Sequence, residues 1–136
     1  MINNQTEYRD RVERGLCVAC SRALDRDAVM CQSCADHNSQ LVRDRGFRNK
    51  LLAFEAYGGA VCACCGETEI AFLTLDHVNG DGNKRRELKG ITGVRFYRIL
   101  RQQGYPTDPP LQVLCFNCNS GRAINNGVCP HKEVVR

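Results

Sequence analysis

The chain has 136 residues, ten of them cysteine, and a formal net charge of +4. That length allows one ordinary domain or two very small ones, with only a modest apolar core. The opening MINNQTEYRDRVERG lacks the apolar segment of a signal peptide, and no run is long enough to span a bilayer, so the expectation is a soluble chain in a reducing, cytoplasmic compartment, where cysteines hold metal rather than form disulfides.

Residues 1–14 are polar and either start a helix or remain loose. Next come two CxxC pairs, Cys17/Cys20 and Cys31/Cys34, separated by the ten residues SRALDRDAVM. A CxxC turn brings two sulfurs to one metal, and two such turns complete a tetrahedron. These four cysteines are expected to form a structural zinc finger over residues 15–35. Residues 38–57, NSQLVRDRGFRNKLLAFEAY, place Phe47, Leu51 and Phe54 at steps of four and three, with Leu41 and Leu52 nearby. That spacing suits one helical face, with Arg43, Arg45, Arg48 and Lys50 on the others. Gly46 weakens the helix from within, and Gly58–Gly59 ends it.

Two further pairs, Cys62/Cys65 and Cys115/Cys118, lie 49 residues apart. They are expected to close a second zinc site, with the segment between them folded out as a subdomain. Cys64 is expected to be a buried thiol. Cys129 and His131 in CPH could donate to a metal, but packing or surface exposure is the expected role. FLTLDHV (72–78) alternates and is rich in strand formers, so it reads as a strand, and VNGDGN as a turn. VRFYRILRQQG (94–104) reads as a helix ending at Gly104, and LQVLC (111–115) as a short strand. NSGRAINNG after Cys118 starts a short helix, whose start, with Asn119, the zinc would fix, and which Asn119 could cap.

Asp76 and His77 stand together at the end of the first strand. Asp76 and Asn119 offer hard oxygen donors suited to Mg²⁺ or Mn²⁺. His77 offers an imidazole, a side chain suited to taking a proton from water. Neighbouring side chains on a regular strand point to opposite faces, so sharing one site requires the strand to end or turn irregular there.

Taken jointly, CACCGE, LTLDH and LQVLCFNCN resemble the HNH, or His-Me finger, endonucleases. The Asn directly after the last cysteine is similar to the phage junction-resolving endonuclease VII type. The resemblance covers roughly residues 60–131. It implies a small α+β, zinc-stabilised protein with a ββα-metal core, preceded by a four-cysteine zinc finger and a connecting helix. The implied domains are 1–37 (polar segment and finger), 38–59 (basic helix) and 60–136 (nuclease domain with a basic insertion at 78–110). The implied activity is a metal-dependent DNA endonuclease or nickase that leaves a 5′-phosphate and a 3′-hydroxyl. In it Asp76 and Asn119 would bind the catalytic Mg²⁺ or Mn²⁺, and His77 would be the general base. Two structural Zn²⁺ would sit at Cys17, Cys20, Cys31, Cys34 and at Cys62, Cys65, Cys115, Cys118. The middle Asn of the family signature falls on Pro110.

The stretch from Lys84 to Arg101 carries seven basic residues, Lys84, Arg85, Arg86, Lys89, Arg95, Arg98 and Arg101, against one acid, Glu87. Beside a phosphodiester-cutting site this is the expected footprint for double-stranded or branched DNA. Location matters more than total charge, because each four-thiolate zinc site carries about −2 and two of them cancel the formal excess. Double-strand cutting by one centre would need a homodimer or two sequential events. The competing expectations are a non-catalytic zinc-finger DNA-binding protein and a phage assembly or regulatory protein. If phage-encoded, the protein would work in the cytoplasm of a bacterial host.

Overall fold

A computed structural model describes residues 4–80 and 93–132. The chain divides into two compact units, Met1–Arg45 and Gly46–Arg136. The division falls inside one long helix, Gln32–Ala56.

The first unit contains α1 (Asn4–Glu13), a single antiparallel bridge between Leu16 and Ala23, and the start of α2 (Gln32–Ala56). Helix α1 is polar throughout and is laced by the i,i+4 pairs Glu7–Arg11 and Asp10–Arg14. It stops at Gly15, whose φ of 64° lets the Leu16 N–H close back on the Arg11 carbonyl at 2.8 Å. Helix α2 begins six residues earlier than the periodicity predicts. Its first-turn amide at Gln32 donates to the Asp25 carboxylate at 2.9 Å, and Cys34 lies in that first turn. Apolar spacing is blind to a start made by a carboxylate and a cysteine.

The second unit is small α+β. It contains the end of α2, a 3-10 turn (Ile70–Phe72), β1 (Leu73–His77), α3 (Val94–Gln102), β2 (Leu111–Cys115), α4 (Phe116–Ile124) and a 3-10 turn (Pro130–Lys132). Strands β1 and β2 pair antiparallel, from Leu73 opposite Cys115 to His77 opposite Leu111. A lone two-stranded ribbon is marginal in water. Here Ala53 and Phe54 of α2, Leu73 and Leu75 of β1, Tyr97 and Leu100 of α3, and Val113 and Leu114 of β2 close one apolar cluster. Phe54 is fully buried and meets Tyr97 edge-to-face, with ring centroids 6.0 Å apart. Lys50 lies over the Phe54 ring and donates to the Ile70 carbonyl at 2.8 Å.

The buried face of α2 differs from the predicted one. Its buried residues are Gly46, Asn49, Ala53 and Phe54, while Phe47 is 53% exposed and Leu41 is also exposed. Counting apolar residues misses a face built on glycine and asparagine. A side chain at Gly46 would put its Cβ 3.0 Å from Val94 Cγ1, so the helix runs unbroken through a glycine that makes room for α3. Asn49 is buried because its Oδ1 accepts from Arg101 at 3.0 Å.

Helix α4 also differs. It begins at Phe116, so Asn119 lies inside it, and the N-cap is Cys115 rather than Asn119. The basic residues Lys84, Arg85, Arg86 and Lys89 lie outside the described residues. Among the described residues, no helix is long and apolar enough to cross a membrane.

The packing separates two phenylalanines of one helix. Phe54→Ala is expected to cost about 3–5 kcal/mol through its cavity, and Phe47→Ala less than about 0.5 kcal/mol. Thermal unfolding midpoints at constant zinc test the contrast.

Candidate functional site

All ten cysteines are free thiols, and eight of them converge in the two expected quartets. In each, the four sulfurs lie within 4.8 Å of one another. Tetrahedral zinc, with Zn–S of about 2.3 Å, sets sulfurs about 3.8 Å apart. The Cys20–Cys31 and Cys65–Cys115 sulfurs are each separated by 3.7 Å. Both quartets therefore have the size and donor chemistry of a zinc site.

Backbone amides prepare one sulfur in each quartet. The Cys31 amide, helped by those of Cys20 and Ala19, lowers the Cys17 thiol to about 6 against the opposing effect of burial. Burial works against ionisation of Cys62, but the amides of Cys65, Cys115 and Cys64 outweigh it and bring that thiol to about 6. Other members are held protonated by crowding. The Cys20 and Cys31 sulfurs push the Cys34 thiol up to about 12. Four sulfurs so placed ionise together only around a cation, which is the behaviour of a metal site.

The first unit depends on this chemistry. Among its described residues only Cys17 and Cys31 are buried. It has no apolar core apart from its own ligands, the usual condition of a small zinc-folded module.

The second quartet sits at a joint. Cys62 and Cys65 form a turn before β1, Cys115 ends β2, and Cys118 lies in the first turn of α4. Cys115 Sγ also accepts the Cys118 amide at 3.4 Å. The same sulfur thus ends the strand, caps the helix and joins the quartet, and α4 is led back against β1.

Asp76 meets α4 there. Its carboxylate pairs with the Arg122 guanidinium, which also donates to the Val78 carbonyl at 2.8 Å and the Gly127 carbonyl at 3.2 Å. Arg122 was not among the residues singled out from the sequence. It lies three residues beyond Asn119, one helical turn along the same face, and that spacing was the available signal. Asn119 is half-buried on α4.

His77 goes the other way. The ladder stays regular through His77 opposite Leu111, and the Val78 amide still donates to the Pro110 carbonyl at 3.0 Å. Alternation therefore sets His77 on the face of Leu73 and Leu75, opposite Asp76. Its ring stacks on Phe96 of α3, 6.4 Å between centroids and 30° between planes. His77 Nε2 is the one buried side-chain nitrogen or oxygen without a hydrogen-bond partner among the described residues. The strand ends at His77, one of the two conditions expected for a shared site, but the pairing is regular up to that residue and Asp76 and His77 flank the strand.

Of the basic residues on α3, Arg95 and Arg98 are exposed, while Arg101 is tied to Asn49. No protein-family model matches the chain, and neither curated proteins nor solved structures give a match.

Stripping zinc with a chelator is expected to remove amide protection across residues 16–34, and zinc reloading to restore it. Hydrogen exchange read by mass spectrometry checks this. Protection that persists in the metal-free chain would contradict a unit held by its ligands.

Proposed function

We propose that the chain is a metal-dependent DNA endonuclease or nickase of the HNH, His-Me finger kind, working in the cytoplasm. The observation that carries the reading is the unpartnered His77 Nε2. Leaving a buried polar atom unmet costs about 1–3 kcal/mol, and such an atom calls for a reason beyond packing. A general base needs a nitrogen that no neighbour already occupies.

The surroundings suit the same chemistry. An antiparallel hairpin runs without a linker into a helix, with four cysteines at the joint. The acid Asp76 on β1 faces that helix through its pair with Arg122, and Asn119 lies one turn from Arg122. Asp76 and Asn119 are the hard donors that would hold Mg²⁺ or Mn²⁺, which supplies charge stabilisation at a scissile phosphate. His77, the last residue of β1, would take the proton of the attacking water once the strand end turns its buried Nε2 toward the Asp76 side. Arg122, a planar donor, suits a phosphate oxygen as well as the Asp76 carboxylate. Arg95 and Arg98 on the outer face of α3 would meet the DNA backbone.

The Asp76–Arg122 pair also favours a second reading. A carboxylate already engaged by a guanidinium can be a structural staple, and the protein would then be a zinc-stabilised DNA-binding module without catalysis.

Supercoiled plasmid incubated with Mg²⁺ or Mn²⁺ separates the two. The nuclease reading expects relaxed or linear product with ligatable 5′-phosphate ends, reduced about 10²–10⁴-fold in His77→Ala at unchanged zinc content. Salt-dependent binding with no product under either metal supports the binding module and sinks the nuclease.

The two kinds of arginine should also part company. Losing a phosphate contact flattens the salt dependence of binding by about 0.9 per contact. Arg95→Ala and Arg98→Ala are expected to do this, measured by titrating salt against affinity. Arg101→Ala should instead lower the unfolding temperature by orphaning the buried Asn49.

A further inference from the structure

Three metal-binding side chains lie outside the two quartets: Cys64, Cys129 and His131. From the sequence they read as packing or surface groups. In the structure they gather around a sulfur that already belongs to the second quartet. The donor atoms of Cys64, Cys118, Cys129 and His131 all lie within 4.8 Å of one another. His131 Nδ1 is 3.3 Å from Cys118 Sγ and 3.6 Å from Cys129 Sγ. Around one tetrahedral zinc, with Zn–S of about 2.3 Å and Zn–N of about 2.05 Å, a sulfur and a nitrogen lie about 3.6 Å apart. The spacing is that of ligands sharing an ion.

We propose that Cys62, Cys64, Cys65, Cys115, Cys118, Cys129 and His131 build a two-zinc centre bridged by the Cys118 thiolate. One zinc takes Cys62, Cys65, Cys115 and Cys118. The other takes Cys64, Cys118, Cys129 and His131. Two tetrahedra need eight donor positions, and seven side chains with one shared sulfur fill them.

Three features of the fold support the second position. Within the turn 62–65, Cys64 stands between the ligands of the first zinc and belongs to the other group, so one turn serves both metals. The closing segment is docked on α4: at Gly121, one turn beyond Cys118, an added Cβ would lie 2.9 Å from Pro130 Cδ. A glycine there lets the Cys129–Pro130–His131 turn lie against the helix beside the shared sulfur. Hydrogen bonds hold the approach, with Arg122 Nε donating to the Gly127 carbonyl at 3.2 Å and Asn125 Nδ2 to the Val128 carbonyl at 3.1 Å. Cys129 is consequently only 2% exposed although it lies close to the end of the described chain.

Charge does not oppose the arrangement. Six thiolates and two Zn²⁺ sum to about −2, the same as one four-thiolate site, because the added ion balances the two added thiolates. The extra metal therefore brings no further net charge into a partly buried region.

Native mass spectrometry of the full, zinc-loaded chain tests the count. Three zinc ions per chain are expected, one in the first unit and two in the second. Two per chain overturns the proposal. A Cys64→Ser/Cys129→Ser double variant should fall from three ions to two, and a variant that keeps three contradicts the assignment. The wild-type chain loaded with ¹¹³Cd gives a readout that needs no mutant: three resonances, two of them mutually split through the shared sulfur. Three unsplit resonances overturn the bridge.

Discussion

The architecture of the second unit hangs on the hydrogen-bonded sulfur of Cys115. A strand that turns directly into a helix leaves the first helical amides without partners. A serine or aspartate normally meets them. Here a cysteine does, and its sulfur sits among three other sulfurs. The direction in which α4 leaves β2 is therefore set by metal-ligand chemistry. Because α4 is held back over β1, Arg122 reaches Asp76, and Gly121 comes under Pro130. Without that sulfur β1 and β2 would still pack against α2 and α3, but no helix would be led back to Asp76.

The two units are stabilised differently. The second closes a small apolar cluster around Phe54, Leu73 and Leu114, in which the cysteines are neighbours of ordinary side chains. The first buries only its own ligands among its described residues. Its α1 carries salt-bridged pairs of modest value and no apolar stripe. With zinc at these quartets, folding and metal uptake would be one event in the first unit, whereas in the second a metal would add direction to a core that also packs.

Much of this was legible in the sequence, for physical reasons that differ by feature. The CxxC quartets were readable because ligand spacing is a local constraint. Strand β2 was found where LQVLC lies, and β1 and α3 within a few residues of their ends. The misses share one cause: they are tertiary. The buried face of α2 is made by Gly46 and Asn49, which no apolar count selects. The start of α2 is fixed by Asp25 and Cys34 rather than by periodicity. Asn119, read as a capping residue, is inside the helix because Cys115 took the cap. The partner of Asp76 is 46 residues away, and only the folded chain shows that Arg122 reaches it. Cys64, Cys129 and His131 have no regular spacing, so the short CPH was the lone hint of their convergence.

The placement of the second quartet also sets what the chain can tolerate. Cys65 and Cys115 are 50 residues apart in sequence, yet their sulfurs nearly touch, so everything between them is one excursion of chain with a pinned neck. The entropy of closing a flexible loop grows only logarithmically with its length, by about 0.6 kcal/mol per doubling. A short neck therefore holds the ends of β1 and β2 and the start of α4 in register across a long excursion of chain at small added entropic cost. Register at the neck is thus set by side chains local to it rather than by the length of chain that it closes.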